Sequence, residues 1–143
     1  MRKVRVFIAG PITPTGRVTP SSNVGQNQVA EYLDNVRQGI DAATKLITKG
    51  FAAYCPFVDF MYFIARAPEE MLLTGATMQS ADLAWLEVAD ALLVLPGWET
   101  SSGVKGELAR AKELGIPVCY SIAELIAYFG DSALIDGERN GRR

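Results

Sequence analysis

Two acidic residues and a short Ser/Gly segment have the residue types and the spacing that chemistry needs. Glu107 lies in the first turns of a segment with helical periodicity, just after Ser101, Ser102 and Gly103. Asp82 lies about two turns before the apolar run that precedes this segment. Hydroxyls and exposed N–H groups at the start of a helix can hold a phosphate. These residues therefore favour a site for a small anionic ligand with two carboxylates beside it.

Histidine is absent from the sequence, and this absence limits the chemistry. It excludes Ser-His-Asp and Cys-His catalysis and argues against a conventional zinc site. Acid–base chemistry must then come from carboxylates, tyrosines or lysines. Cys55 and Cys119 each lie in an apolar, strand-like run. We expect two buried, reduced thiols rather than a disulfide or a metal pair.

Length, composition and charge are those of one globular domain. The chain has 143 residues, of which 49% are hydrophobic and 21% are charged. The formal net charge is −2, so the basic surface that a nucleic acid requires is lacking. The first apolar run is too short for a signal peptide, and no run approaches the roughly 18 residues that span a bilayer. We expect a cytoplasmic protein that binds neither nucleic acid nor membrane.

Strands and helices are predicted to alternate along the chain. Apolar runs bounded by Gly or Pro predict strands at 4–9, 51–55, 91–95 and 116–120. Helices are predicted at 29–49, from about 68 to 89 with a break near Gly75, at 103–114 and at 121–129. The first helix shows three- and four-residue steps between apolar residues, the pattern of an amphipathic helix: Leu33, Val36, Ile40, Ala43 and Ile47.

The predicted fold class is α/β, with a Rossmann-like or flavodoxin-like parallel sheet of four or five strands and helices on both faces. One domain is expected over residues 1–130, followed by a flexible C-terminal tail, 131–143, that has little to bury. Residues 11–27 are predicted to be a long loop. Ligands bind such sheets beyond the carboxyl ends of the strands, which here means the segments 10–13, 56–59 and 96–103.

Four motifs, in this order, resemble the nucleoside 2-deoxyribosyltransferase superfamily, which includes the transferases and the 2′-deoxynucleoside 5′-phosphate N-hydrolases. The wording Leu-Pro-Gly-Trp-Glu-x-Ser-x-Gly is closest to a phage and bacterial branch of it. The resemblance covers roughly residues 4–120, and its specificity comes from the order of the motifs. The motifs are Phe7 to Thr13, Asn35 to Ala43, Asp82 to Leu86 with Ala89-Asp90, and Ser101 to Glu107.

The resemblance implies roles for the two carboxylates. Glu107 would be the nucleophile that attacks the anomeric carbon and forms a covalent glycosyl-enzyme. Asp82 would activate the base or the leaving group, as the second carboxylate does in retaining glycosidases. Asp90 is expected to order the start of its strand rather than to touch a ligand.

The resemblance also implies a substrate pocket. The position six residues before the nucleophile is Asp in the nucleoside transferases and Ser in the monophosphate hydrolases, and here it is Ser101. A hydroxyl can donate to a phosphate that a carboxylate would repel, so a nucleoside 5′-monophosphate is favoured. Trp98 would stack on the base. The other expected contacts are Gly10, Pro11, Ile12, Thr13, Ser102 and Gly103. We expect no cofactor, a small nucleoside or nucleotide ligand, and a homo-oligomer.

Other interpretations stay open on the sequence. Glu107 could compensate a helix dipole, and Ser101 could be an N-cap. A non-catalytic nucleotide-binding or sensor module would keep the fold without turnover. A phosphoribohydrolase carrying Pro-Gly-Gly-x-Gly-Thr-x-x-Glu is disfavoured, because the segment from Pro96 lacks that spacing. A purely structural domain leaves the Ser/Gly segment unexplained.

Lys105-Gly106 and the long loop depart from the superfamily pattern, and no counterpart of its C-terminal motif is evident. The identity of the base, the choice between ribose and 2′-deoxyribose, and the choice between hydrolysis and transfer stay open.

Overall fold

A parallel four-stranded sheet forms the centre of the computed structural model, which describes residues 1–16, 24–60 and 75–136. The strands within these ranges are β1 (Arg2–Lys3), β2 (Arg5–Ala9), β3 (Ala52–Tyr54), β4 (Ala91–Val94), β5 (Val118–Cys119) and β6 (Leu134–Ile135). The helices are α1 (Val24–Thr48), α2 (Gly75–Glu87), α3 (Ser102–Glu113) and α4 (Ile122–Phe129), with 3-10 turns at Pro56–Phe60 and Trp98–Thr100.

The main sheet has the strand order β3-β2-β4-β5, and every pairing in it is parallel. Val6 of β2 lies between Ala53 of β3 and Ala91 of β4. Four consecutive residues of β2 and all of β4 are buried, because helices cover both faces of the sheet. This architecture confirms the α/β, Rossmann-like or flavodoxin-like fold class, with four strands in the parallel sheet.

Alternate side chains of the strands enter two separate cores. Val6, Ile8 and Leu93 pack against α1 and α4, with Leu46 and Leu125 among the buried partners. The opposite face packs against α2 and α3, and its buried residues include Phe7, Leu92, Val94, Leu86, Val104 and Ala111. The period of two along the strands therefore places one helix pair on each face.

Helix α1 is confirmed, but the face that it buries differs from its apolar pattern. Leu33, Ile40 and Ile47 are exposed. The buried positions on α1 are polar or small apart from one leucine: Glu31, Asn35, Gly39, Ala42, Ala43 and Leu46. The helix starts at Val24, so it also enters the predicted loop 11–27, of which residues 17–23 lie outside the described ranges.

Asp90 and two arginines from the start of the chain form an ion-pair cluster at the amino edge of the sheet. Asp90, which precedes β4, is 2% exposed and accepts two hydrogen bonds from Arg2, at 2.6 and 2.8 Å, and one from the Arg5 N–H at 2.8 Å. Burial by itself would raise the pKa of Asp90, but the hydrogen bonds and charges of Arg2 and Arg5 outweigh it and lower that pKa. Asp90 thus orders the start of β4, as expected, on the edge opposite to the candidate ligand segments.

The predicted boundary at residue 130 needs a correction. Strand β6 pairs with β1 in an antiparallel ribbon, and the Val4 N–H donates to the Ala133 carbonyl at 2.8 Å. Ala133 is fully buried, so residues 131–136 contribute to the fold where a flexible tail was predicted. Residues 137–143 lie outside the described ranges, as does the part of the predicted helix between 68 and 74.

Within the described ranges, no helix combines the length and hydropathy needed to cross a membrane. The same residues contain no group of three or more His, Cys, Asp or Glu side chains arranged to hold a metal ion. Cys55 and Cys119 are both free thiols; Cys119 is buried, as expected, whereas Cys55 is only half-buried.

Candidate active site

A cavity of about 710 Å³ opens at the carboxyl edge of the sheet, beyond the ends of β2 and β4. Chain connections leave these two neighbouring strands in opposite directions, which is where open α/β sheets bind ligands. Among the described residues, four segments form its wall: residues 10–15 after β2, Pro56 and Phe57 after β3, one face of α2, and residues 100–107 at the start of α3. The cavity therefore gathers segments that are far apart in sequence.

Nine of the ten residues proposed as catalytic or substrate-binding line this cavity: Gly10, Pro11, Ile12, Thr13, Asp82, Ser101, Ser102, Gly103 and Glu107. Trp98 is the exception. Its indole packs against the core beneath α2 and α3, with its ring centroid 6.1 Å from that of Tyr120. Gly97, at φ +86°, turns the chain immediately before Trp98. The structure therefore does not place Trp98 as the platform for a base.

The first turn of α3 forms one end of the cavity. Ser101 is the N-cap, and its Oγ accepts a hydrogen bond from the Val104 N–H at 3.3 Å. The capping interpretation is thus correct, and the hydroxyl proton of Ser101 can still be donated to a ligand. The N–H groups of Ser102 and Gly103 belong to the first helical turn, which has no intrahelical acceptors for them. Among the described residues, a Cβ on Gly103 would approach only Ser101 Oγ, at 3.8 Å, so there is room beside Gly103.

Glu107 follows Gly103 by one helical turn, so both lie on the side of α3 that lines the cavity. Burial, and to a smaller extent the negative charge of Asp82, raises the pKa of Glu107 to about 8. Asp82 projects from α2, and its Oδ1 accepts a hydrogen bond from the Tyr54 hydroxyl at 3.4 Å. Two carboxyl groups from two helices therefore interact across one cavity, and their surroundings favour the protonated form of Glu107 more than water does.

Two buried polar residues of α1 hold the cavity wall that follows β2. The Glu31 carboxylate accepts hydrogen bonds from the Thr15 N–H at 2.7 Å, the Thr15 hydroxyl at 3.0 Å and the Gly16 N–H at 2.9 Å. One turn later, Asn35 Nδ2 donates to the Ile12 carbonyl at 3.0 Å. The sequence interpretation gave neither residue a role. Their spacing of four, on a face that also carries Gly39, is the signal that could have revealed them.

Gly10 has a packing role as well as its place on the cavity wall. A Cβ at Gly10 would lie 2.9 Å from Phe57 Cζ and 3.0 Å from Leu95 Cβ, so no larger residue fits without a shift. On the other side, the Phe57 ring lies against Gly39 of α1, where a Cβ would collide with it. These contacts bring the loop after β2 close to both β4 and α1.

Comparison with curated proteins found no match. The family model described as "Domain of unknown function (DUF4406)" matches residues 32–120. This range exceeds half of the chain and includes Asp82, Ser101 and Glu107, whereas the loop 10–15 lies before it. The chain therefore belongs to the DUF4406 family, which is the identity that these comparisons establish.

Proposed function

We propose that this protein cleaves or exchanges the N-glycosidic bond of a nucleoside 5′-monophosphate through a covalent intermediate on Glu107. The observation that carries the proposal is the pairing of Glu107 with Asp82 across a cavity that ends at the first turn of α3. Retaining cleavage of a glycosidic bond requires two such carboxyl groups, one as nucleophile and one as acid. The motif resemblance to the nucleoside 2-deoxyribosyltransferase superfamily supports the same assignment.

The wall of the cavity favours one orientation of the substrate. Its 5′-phosphate would bind the N–H groups of Ser102 and Gly103 and the hydroxyl of Ser101, where the helix dipole also favours an anion. The sugar would then lie beside Glu107, one turn further along α3. The base would lie against α2, within reach of Asp82. The cavity volume lies in the range usual for small-molecule sites.

In the first step a carboxylate oxygen of Glu107 forms a bond to C1′ of the sugar, and the bond between C1′ and the base nitrogen breaks. The electron pair of that bond goes to the base nitrogen, which takes a proton from Asp82. The raised pKa of Glu107 keeps a proton in the site at neutral pH. The productive arrangement carries this proton on Asp82 and leaves Glu107 ionised.

In the second step the oxygen of a water molecule forms a bond to C1′, and the water proton goes to the Asp82 carboxylate. The bond between C1′ and Glu107 breaks, and its electron pair returns to the Glu107 carboxylate. A second base would replace water in a transfer reaction. Both routes restore the starting protonation of the pair.

We further propose that the protein is cytoplasmic and acts as a homo-oligomer on free nucleotides rather than on nucleic acid.

The test is the release of free base from a panel of ribo- and deoxyribonucleosides and their 5′-monophosphates, with and without an added second base. We expect release from monophosphates, and a loss of about 10³-fold or more in Glu107→Gln. Mass spectrometry of the quenched reaction should find a sugar phosphate on the peptide that contains Glu107. Glu99→Gln is the matched control, because Glu99 is an exposed acid on the same segment and outside the cavity wall.

Other outcomes would change the assignment. Release from unphosphorylated nucleosides alone would remove the role of the α3 first turn as a phosphate site. If monophosphates bind but no base is released, the protein is a nucleotide-binding module without turnover. Release that persists in Glu107→Gln would contradict the covalent mechanism.

A further inference from the structure

Tyr54 reaches the candidate site through a residue that lines it. It is the last residue of β3, just before the Pro56 and Phe57 segment of the cavity wall. Its hydroxyl donates to Asp82 Oδ1 at 3.4 Å. This is long for an O–H···O hydrogen bond, and hydrogen bonds at catalytic groups often shorten when the substrate binds. Tyr54 therefore acts on the cavity only by way of the Asp82 carboxyl group.

Two aromatic contacts hold the ring of Tyr54. Trp85 of α2 stacks on it, with the ring centroids 5.4 Å apart and the ring planes at 26°. Phe7 of β2, which is fully buried, also lies with its centroid 5.4 Å from that of Tyr54, at 38°. A side chain locked by packing presents its polar atom at a fixed point. The Tyr54 hydroxyl is therefore a donor whose position the core sets.

Asp82 is in a different situation, because it lies at the edge of an open cavity and is only half-buried. Its short side chain needs a partner to select one rotamer from the staggered set. Trp85 follows Asp82 by three residues, so the two are neighbours on the surface of α2. The same helix thus carries the carboxyl group and one of the rings that hold its donor.

We propose that Tyr54 is a positioning residue for Asp82, which it holds in the orientation that delivers a proton to the departing base. This inference rests on the proposed function. The Tyr54 hydroxyl donates to Oδ1, so the proton of the acid form belongs on Oδ2. As a Glu107 oxygen forms its bond to C1′, the bond between C1′ and the base nitrogen breaks. The electron pair stays on that nitrogen, which takes the proton from Oδ2.

A purely structural role for Tyr54 is the competing explanation, because its ring also packs against the core beneath α2 and α3. The two roles make different predictions for the leaving group. Misplacing a general acid slows only the departure of a group that needs a proton, whereas a general disturbance of the cavity slows every substrate. The dependence of the loss on the leaving group therefore separates them.

The test compares the wild type with Tyr54→Phe, which keeps the ring and removes only the hydroxyl. One substrate is the nucleoside monophosphate that is cleaved best, and the other is the 4-nitrophenyl β-glycoside 5-phosphate of the same sugar, whose phenolate leaves without a proton. For the nucleotide we expect kcat to fall about 10-fold or more with KM nearly unchanged, and for the nitrophenyl glycoside a change within about twofold. Tyr128→Phe, at an exposed tyrosine of α4, is the matched control and should keep both activities.

Nuclear magnetic resonance measures the positioning without turnover. Three-bond couplings across the Cα–Cβ bond of Asp82 should report one rotamer in the wild type and an average over rotamers in Tyr54→Phe. If the wild type releases no base, the proposed function fails, and these couplings still decide whether Tyr54 positions Asp82. An averaged Asp82 in the wild type, a single rotamer that survives in Tyr54→Phe, an unchanged kcat for the nucleotide, or an equal loss on both substrates would each overturn the inference.

Discussion

At the scale of single residues, the behaviour of Glu107 depends on its surroundings rather than on its type. Water exclusion in the cavity and the nearby Asp82 charge raise its pKa to about 8. A carboxyl group with this pKa can gain and lose a proton near neutral pH, which suits proton exchange during a reaction. The same shift affects stability, because the folded chain prefers the protonated form of Glu107 and the unfolded chain does not.

The stability contribution of Glu107 should fall as the pH rises. It is fully present below the ordinary pKa of 4.5 and is lost as the pH passes from there through about 8. Glu107→Gln removes this dependence. Relative to the wild type, the free energy of unfolding of the variant should increase by on the order of 3 kcal/mol between pH 5 and pH 8.5. Urea unfolding of both proteins at the two pH values measures the gain. An equal stability difference at both pH values would contradict the raised pKa.

At the scale of elements, α1 connects the core to the wall of the cavity. Glu31 and Asn35 bind backbone and hydroxyl groups of residues 12–16, so the loop takes its position from a helix that itself packs on the sheet. Helix α3 contributes in a different way. Its cap at Ser101 sets where the helix begins, and the helical spacing then directs Gly103 and Glu107 to the same side.

Glu31→Gln should loosen the loop without unfolding the protein. An amide oxygen can replace one acceptor, but the amide NH₂ then faces an N–H donor of the loop. We expect a loss of about 1–3 kcal/mol in unfolding free energy. Amides of residues 12–16 should exchange hydrogen faster while those of β4 keep their relative protection. For the proposed reaction, KM should rise more than kcat falls. Gln28→Glu, at an exposed position of α1, is the control, and unchanged exchange at 12–16 in Glu31→Gln would contradict the anchoring role of Glu31.

At the scale of the whole molecule, the two edges of the sheet have separate tasks. The carboxyl edge carries the cavity, and the amino edge carries the Asp90 cluster with the β1–β6 ribbon. Asp90 ties the start of β4 to Arg2 and Arg5, which are 88 and 85 residues away in sequence. This cluster closes the chain far from the candidate chemistry, so stability and activity can be changed independently.

Asp90→Asn should therefore lower stability and leave ligand binding at the cavity intact. The pKa of Asp90 is lowered in the fold, so its contribution is present above the ordinary value of 3.8 and is lost as the pH falls through the folded value. We expect the free energy of unfolding to fall by about 2 kcal/mol at pH 7. This is less than for a fully buried ion pair, because Arg2 is partly exposed to water. Thermal unfolding at pH 7 and at pH 3 measures it, and the difference from wild type should shrink at pH 3. Asp131→Asn, at an exposed acid, serves as the control. An equal effect at both pH values would argue against the ion pairs.

Local patterns in the sequence determined the four strands of the parallel sheet and the four helices, and which segments reach the carboxyl edge of the sheet, but not the β1–β6 ribbon. The apolar runs of β2 and β4 and the spacing from Ser101 to Glu107 needed no knowledge of distant residues, since the backbone period alone assigns their faces. Only the tertiary structure decided which side of α1 is buried, where Trp98 points, and how far the pKa of Glu107 rises. These properties depend on what packs across from each residue. Helical period locates an apolar stripe, but the neighbours supplied by other segments determine whether that stripe or the polar face of Glu31 and Asn35 meets the core.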